Sequence, residues 1–346
     1  MNRRTVLKKI LVTPLMLPAM NAIAQEGSSL PPHHGENGFI NTDPDFVEAE
    51  FSEMAPWILK KLPAVFSETE RIEIPHEYND CSLINGHRPY TVTWIGHSTV
   101  LVQMEGKTFL TDPVWSGRVG PLKWAGTPRI SEPGLLIEKL PPIDIILISH
   151  NHYDHLDESS IEELVDRNPN VKFFVPLRVR DWFEERGIRN VEELDWWEGA
   201  SVEGLKILCT PAQHFSGRWL NDRNQTLWCS WTVLGKKRLY FAGDSGYCSH
   251  FKTIGNKFGP FDLTMIPIGA YEPKKLMRSV HMDPEDAVQA FLDLRGKKML
   301  GIHWGAFVMT DEPMDEPPRR LETAVAQKRL SKDDVWILKI GESKEW

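Results

Sequence analysis

In the stretch Ile148-Ser149-His150-Asn151-His152-Tyr153-Asp154-His155-Leu156, three imidazoles and one carboxylate fall within six residues. Imidazole with carboxylate is the ligand set that zinc, iron and manganese accept. On an extended segment His150 and His152 point the same way, so both can reach one ion. Where the chain turns toward the helix that follows, Asp154 and His155 can face a second ion beside it. A lone histidine pair would be unremarkable. Four ligand-type residues with partners downstream form a metal constellation.

The partners each follow an apolar, strand-like run. His214 comes after Ile207-Leu208-Cys209, Asp244 after Leu239-Tyr240-Phe241-Ala242-Gly243, and His303 after Met299-Leu300-Gly301-Ile302. A sheet whose strands end on one rim would collect all these side chains there. The expected division gives His150, His152 and His214 to one ion. Asp154, His155 and His303 hold the other, with Asp244 bridging. Two divalent ions, zinc above all, lie ~3.5–4 Å apart in such sites, clamp the oxygens of a displacement and activate water.

The elements that must position these residues can be read from periodicity and turn signals. Thr91–Ile95, Thr99–Met104 and Lys107–Thr111 read as strands, with a tight hairpin turn at Glu105-Gly106. A loop over 112–142 follows, with six prolines and four glycines. Ile143–Ser149 suits a strand buried on both faces. Beyond it come a helix over Glu158–Asn168, a strand Val171–Val175 and a short helix Arg178–Glu185. The second half repeats the style, with strands at Leu205–Thr210, Thr226–Leu234, Arg238–Ala242 and Asp262–Ile268. Asp283 caps a helix that opens with Pro284 and runs to about Leu294. A strand Lys298–His303, a helix Arg319–Leu330 and a strand Val335–Ile340 close the chain. Two such halves predict an α+β sandwich of two sheets flanked by helices.

Residues 1–24 read as an export signal: a basic start, an apolar run Ile10–Met20 and a small-x-small site at Ala22-Ile23-Ala24. Arg3-Arg4 is similar to a twin-arginine signal, with an ordinary secretory signal the alternative; either implies an exported protein, most simply periplasmic, cleaved after Ala24. Residues 25–84 are expected to form a loosely packed arm and linker, and 85–346 the catalytic domain. Without the signal the chain holds 48 acidic against 36 basic side chains, a formal net of −12. That charge excludes a nucleic-acid binder held by phosphate contacts. Cys81, Cys209, Cys229 and Cys248 show no C-x-x-C spacing. An oxidising compartment would permit disulfides, and Cys209 and Cys229, in apolar strand-like runs, are expected as buried free thiols. The oligomeric state is left open.

The order H-x-H-x-D-H, then His, Asp and His, resembles the metallo-β-lactamase superfamily. More narrowly, the chain is similar to the N-acylphosphatidylethanolamine-hydrolysing phospholipases D. The resemblance spans about residues 85–315. It rests also on Thr93-Trp94-Ile95-Gly96-His97-Ser98-Thr99, Thr111-Asp112-Pro113, Gln213-His214-Phe215, Leu227-Trp228-Cys229-Ser230-Trp231, Gly243-Asp244-Ser245-Gly246-Tyr247 and Ile302-His303-Trp304-Gly305. It implies an αββα sandwich, two zinc ions and a phospholipid or other phosphodiester substrate. It also places His281 in the active site, where His281 or Asp154 would assist the departing alkoxide. A lactone or amide hydrolase on the same fold is the alternative enzyme, and a non-catalytic metal-binding envelope protein the alternative class.

Other residues have both a functional and an ordinary interpretation. Asp112 ends a strand and could orient a ligand imidazole such as His150, or simply close a turn. His97, beside Gly96, is expected to fix the strand turn. Arg218 and Asn224 could donate to a phosphate oxygen or merely build a loop. Trp115 and Trp124 share the proline-rich loop with Arg118, Lys123 and Arg129. Such indoles and cations suit peripheral contact with a lipid surface, and equally a packed lid.

Overall fold

The computed structural model describes residues 30–66, 73–86, 88–122, 124–219 and 221–346. Residues 1–24, expected from sequence to be an export signal, and Lys123 lie outside them. The chain divides into two units, Met1–Pro31 and Pro32–Trp346, and every element below belongs to the second.

An N-terminal hairpin, β1 (His34–Gly35) and β2 (Gly38–Phe39), precedes two helices, α1 (Phe51–Phe66) and α2 (Ser82–Asn85). Then come β3 (Tyr90–Gly96), β4 (Thr99–Met104), β5 (Lys107–Thr111), the small hairpin β6 (Arg118–Leu122) and β7 (Ala125–Pro128), and β8 (Ile145–Leu147). Helix α3 (Glu158–Arg167), β9 (Lys172–Pro176), α4 (Arg180–Glu184) and β10 (Val191–Leu194) complete the first half. The second half runs β11 (Gly199–Val202), β12 (Leu205–Thr210), β13 (Ser230–Leu234), β14 (Arg238–Phe241), α5 (His250–Phe258), β15 (Leu263–Pro267), α6 (Lys274–Met277), α7 (Pro284–Asp293), β16 (Met299–Ile302), α8 (Glu316–Gln327), β17 (Val335–Trp336) and β18 (Ser343–Glu345).

Two seven-stranded sheets result, in the orders β10-β9-β8-β5-β4-β3-β18 and β11-β12-β13-β14-β15-β16-β17. Each has an antiparallel part and a parallel part; α3, α4, α5, α7 and α8 lie in crossovers of the parallel parts, and the long loop 211–229 joins the antiparallel β12 and β13. One large core joins residues of both sheets, such as Trp94 and Val102 with Trp231 and Val233. A second core lies on the outer face of the first sheet, where Ile146 and Phe173 meet Ile161 and Leu164 of α3. The fold is an α+β sandwich of two mixed sheets with helices.

Local chemistry accounts for the helix ends that matter most. The Asp283 carboxylate accepts from the Asp286 backbone N–H at 2.9 Å, and Pro284 occupies the first helical turn of α7. Such a cap stabilises a helix by about 1 kcal/mol. In α1 the residues Met54, Trp57 and Lys61 share one face. There the Trp57 indole donates to Asp311 and Lys61 donates to the Thr310 carbonyl.

Residues 33–43 depart from the loosely packed arm expected of them. Phe39 joins the main core, and Asn41 exchanges hydrogen bonds with the backbone of His214. His33 and His34 both bond the Asp195 carboxylate, at 2.6 and 2.7 Å, which ties the hairpin to the β10–β11 junction.

Candidate metal centre

Every candidate ligand lies just beyond a strand or at the turn that leaves one. His150, His152, Asp154 and His155 follow β8, His214 follows β12, Asp244 follows β14 and His303 follows β16. These are the ends at which strands of both sheets deliver the chain to one rim. His303 itself has a φ of 62°, so the backbone reverses there and presents the ring. His150, Asp154, His155, His214, Asp244 and His303 are buried, and His152 is half-buried.

Three nitrogens converge first. His150 Nε2 lies 2.7 Å from His152 Nδ1, and His214 Nε2 lies 3.3 Å from the same atom. The outer nitrogens are fixed by other partners. His214 Nδ1 donates to the Val280 carbonyl at 2.9 Å, and His150 Nδ1 lies 2.8 Å from Ser149 Oγ. With their far sides engaged, the rings turn their remaining lone pairs toward one point. Burial and mutual repulsion push His150 and His214 well below the usual imidazole range, and burial takes His152 down to about 4. All three are neutral at pH 7, the form that binds metal.

The second group is charged. His155 Nδ1 donates to Asp112 at 2.7 Å, leaving Nε2 at 3.2 Å from both Asp154 Oδ2 and Asp244 Oδ2. His303 Nε2 stands 3.1 Å from Asp244 and 3.7 Å from Asp154. Burial opposes charge here, yet Asp244, Asp154 and Asp112 hold His155 well above its ordinary value. Against the same burial, Asp244 and Asp154 raise His303 to about 9. In turn His155 and its neighbours hold both carboxyls well below the carboxylate range, despite their burial. Protons on imidazoles are balancing carboxylates, a role that divalent cations fill equally well.

Asp244 stands between the groups, since its Oδ2 is also 3.8 Å from His214 Nε2. Its Oδ1 is buried without a hydrogen-bond partner, as are His155 Nε2 and His303 Nε2. Orphaned buried polar atoms are costly, and a shared cation would satisfy these at once. The donor set fits divalent metal.

A family model described as a beta-lactamase superfamily domain matches residues 107–304. The chain belongs to that superfamily. Within it the chain falls in the N-acylphosphatidylethanolamine-hydrolysing phospholipase D-like branch. A relative of that name, numbered 1, from Caenorhabditis elegans is 42% identical over 71% of this chain and 72% of its own. A mitochondrial one from Saccharomyces cerevisiae is 34% identical over 82% of this chain and 61% of its own. Among solved structures, a metallo hydrolase from the archaeon Ignicoccus hospitalis shares the fold at a TM-score of 0.56. It has 21% identity and is covered over 74% of this chain and 98% of its own. The chain is a metal-dependent hydrolase of the metallo-β-lactamase fold.

Several sequence expectations change in detail. Asp112 reaches His155 directly and His150 only through Ser149, whose Oγ donates to it at 2.5 Å. His97 does sit at the strand turn, with a φ of 54°, but its Nε2 also lies 2.8 Å from Asp154 Oδ2. Sequence reasoning missed that contact. The Gly96-His97 pair at a strand end was its only signal. Asp154 is fully engaged and ionised, so it has no proton to give a leaving group.

His281 approaches from the loop before α7, with Nδ1 3.9 Å from Asp244 Oδ2. Burial lowers it to about 4, so it is neutral at pH 7. Arg218 is not free to meet a phosphate. Its guanidinium donates to the carbonyls of Asn151 and Leu156, at 2.9 and 2.8 Å, and so braces the histidine motif. Asn224 is loop structure: its φ is 57° and its side chain accepts from the Ser216 N–H. Trp115 is half-buried: it donates to the Leu135 carbonyl and packs against the second core, so its indole N–H is engaged inside the fold. Arg129 is likewise internal, donating to Ser116 and Val114 beneath the Phe307 ring. Trp124 is exposed, beside Phe66 of α1.

Proposed function

We propose that the chain is a two-zinc phosphodiesterase of phospholipase D type, acting on N-acylphosphatidylethanolamine-like phospholipids. One ion would be held by His150, His152 and His214, the other by Asp154, His155 and His303, with Asp244 shared. The observation that carries this is the position of Asp244 Oδ2, within 3.8 Å of imidazole nitrogens from both groups. The names of the worm and yeast relatives supply the substrate class. When bound, such ions polarise the phosphoryl oxygens and activate water at neutral pH.

The chain's own residues do the rest. Asp112 and the Val280 carbonyl lock His155 and His214 in the tautomers that face the centre. His97 holds Asp154 in place through a 2.8 Å contact. His281 is the remaining imidazole, neutral and beside the centre, and it offers a ring N–H to the departing headgroup oxygen. No helix among the described residues is long and apolar enough to cross a membrane. Lipid would instead be met at the exposed apolar residues of α1 and Trp124. The Arg3-Arg4 signal further supports a periplasmic location, with export before action.

Headgroup-resolved mass spectrometry of mixed phospholipids incubated with zinc-loaded protein tests the reaction. Phosphatidate and N-acylethanolamine should appear, vanish with chelator and return with zinc. Hydrolysis of bis(p-nitrophenyl) phosphate without either lipid product would overturn the phospholipid assignment. If the zinc-loaded protein splits neither substrate, the phosphodiesterase assignment itself fails.

A further inference from the structure

Beside the metal centre lies a cavity of about 170 Å³ with an apolar lining. Its walls come from Met54 and Trp57 of α1, Phe215, Leu276, Met277 and Val280, and His281 stands in its lining. The cavity continues from the centre. The Phe215 ring lies 4.5 Å from that of His152 and 4.7 Å from that of His214, and Val280 carries the carbonyl that holds His214. At the rim Arg223 pairs with Glu48 at 2.6 Å and covers the Phe215 ring. That ion pair sets a donor and an acceptor where an amide would pass. Neither the metal ligands nor the fold requires this space.

We propose that the cavity receives the first carbons of the N-acyl chain on the departing headgroup, an inference that rests on the phospholipase assignment above. Three features select this arm. A void of ~150 Å³ lined by apolar side chains takes one benzene-sized group. This cavity therefore admits one chain for about six carbons, and the paired chains of the phosphatidyl half do not fit. Its lining includes His281, the group placed to meet the departing oxygen. Its rim carries the Arg223–Glu48 ion pair, while Met54, Trp57, Phe215, Leu276, Met277 and Val280 make most of its lining apolar. Trp57, tied to Asp311 at 3.0 Å, would then form the wall that sets chain preference.

Binding tests this without turnover. Full-length, zinc-loaded protein is titrated with soluble N-acylethanolamines of two to ten acyl carbons, followed by calorimetry and tryptophan fluorescence. Affinity should rise about fourfold per methylene, as burial of a CH₂ dictates, and level off near six carbons. Ala49→Phe, which adds bulk at another lining residue, and Trp57→Ala, which opens the wall, should each change the slope or the levelling point. Zinc content and near-ultraviolet circular dichroism confirm that each variant is folded. Affinity independent of chain length overturns the proposal, as does a series unchanged in both folded variants. Chain-dependent binding without hydrolysis of N-acylphosphatidylethanolamine would instead sink the phospholipase assignment while the cavity's specificity stands. Hydrolysis with chain-independent binding would do the reverse.

Discussion

Asp244 Oδ2 sits 3.1 to 3.9 Å from nitrogens of four histidines, His303, His155, His214 and His281. Asp244→Asn keeps the shape and removes the charge that would offset the two proposed cations in one place. Phosphodiesterase turnover should fall by orders of magnitude, with at least one zinc equivalent lost and the fold retained. Near-normal turnover at full metal content would remove Asp244 from the centre. The same residues set a pH signature in the metal-free protein. Burial holds His152 at about 4, below the ~6.5 of an unfolded imidazole, so acidification from 6.5 to 4 protonates only the unfolded chain and lowers stability. His303 is held at about 9, against its burial, by Asp244 and Asp154, so between 6.5 and 9 only the unfolded chain loses its proton. Stability falls there too as pH rises. Calorimetry should find a maximum near pH 6.5 without metal, and zinc should flatten the alkaline side by replacing the His303 proton. A midpoint that climbs steadily from pH 6.5 to 9 without metal would contradict the assignment.

At the scale of elements, the turn after β14 shows how backbone geometry delivers a ligand. Gly243 has a φ of 58°, and a Cβ added there would lie 2.5 Å from Ser149 Cβ and 3.0 Å from the Cys229 carbonyl. Gly243→Ala should therefore cost about 2 kcal/mol or more in urea denaturation, and weaken zinc binding because Asp244 is displaced. A stable variant with normal zinc affinity would mean the turn adapts freely. The same turn explains what sequence could show. β-Branched alternation marks β3, β4 and β5, and strand-end placement marks His214, Asp244 and His303, so sheets and candidate ligands were legible together. β8 is shorter than expected at its end because Ser149, whose N–H bonds the Asp112 carboxylate rather than a neighbouring strand, turns out of the ladder ahead of the histidines. β13 starts only at Ser230, because the Leu227 and Cys229 N–H groups bond Leu177 and Ser149 outside any ladder. The β6–β7 hairpin and the edge strands β10 and β11, which belong to different sheets, are short, and no periodicity announced them. Trp115 and Arg129 could not be separated from Trp124 by sequence, since all three share one loop and burial alone distinguishes them.

At the scale of the whole molecule, the proposed phospholipid substrate would meet a chain whose formal net is −12 once residues 1–24 are set aside, without a general electrostatic attraction. Apolar contact has to be local. Leu59, Phe66 and Trp124 are 64, 63 and 68% exposed, with Ile58 and Leu62 on the same helix also open. The Phe66 and Trp124 rings lie 6.3 Å apart, joining α1 to the β6–β7 hairpin. The opposite face of α1 walls the cavity with Met54 and Trp57. One helix would thus rest on lipid with one side and receive a chain with the other. Indoles favour the boundary between headgroups and acyl chains, and each aromatic buried there contributes about 1.5–3 kcal/mol. Phe66→Ser with Trp124→Ala should therefore lower the rate on vesicles of N-acylphosphatidylethanolamine by about tenfold or more, chiefly through weaker vesicle binding in a sedimentation assay. The loss on bis(p-nitrophenyl) phosphate, which needs no surface, should be far smaller. Trp115→Ala serves as the contrast: its indole bonds Leu135 inside the fold, so it should reduce thermal stability and affect both substrates alike. Equal losses on vesicles and on the small diester for the Phe66 and Trp124 pair would remove α1 as the lipid contact and leave the approach of substrate to another face.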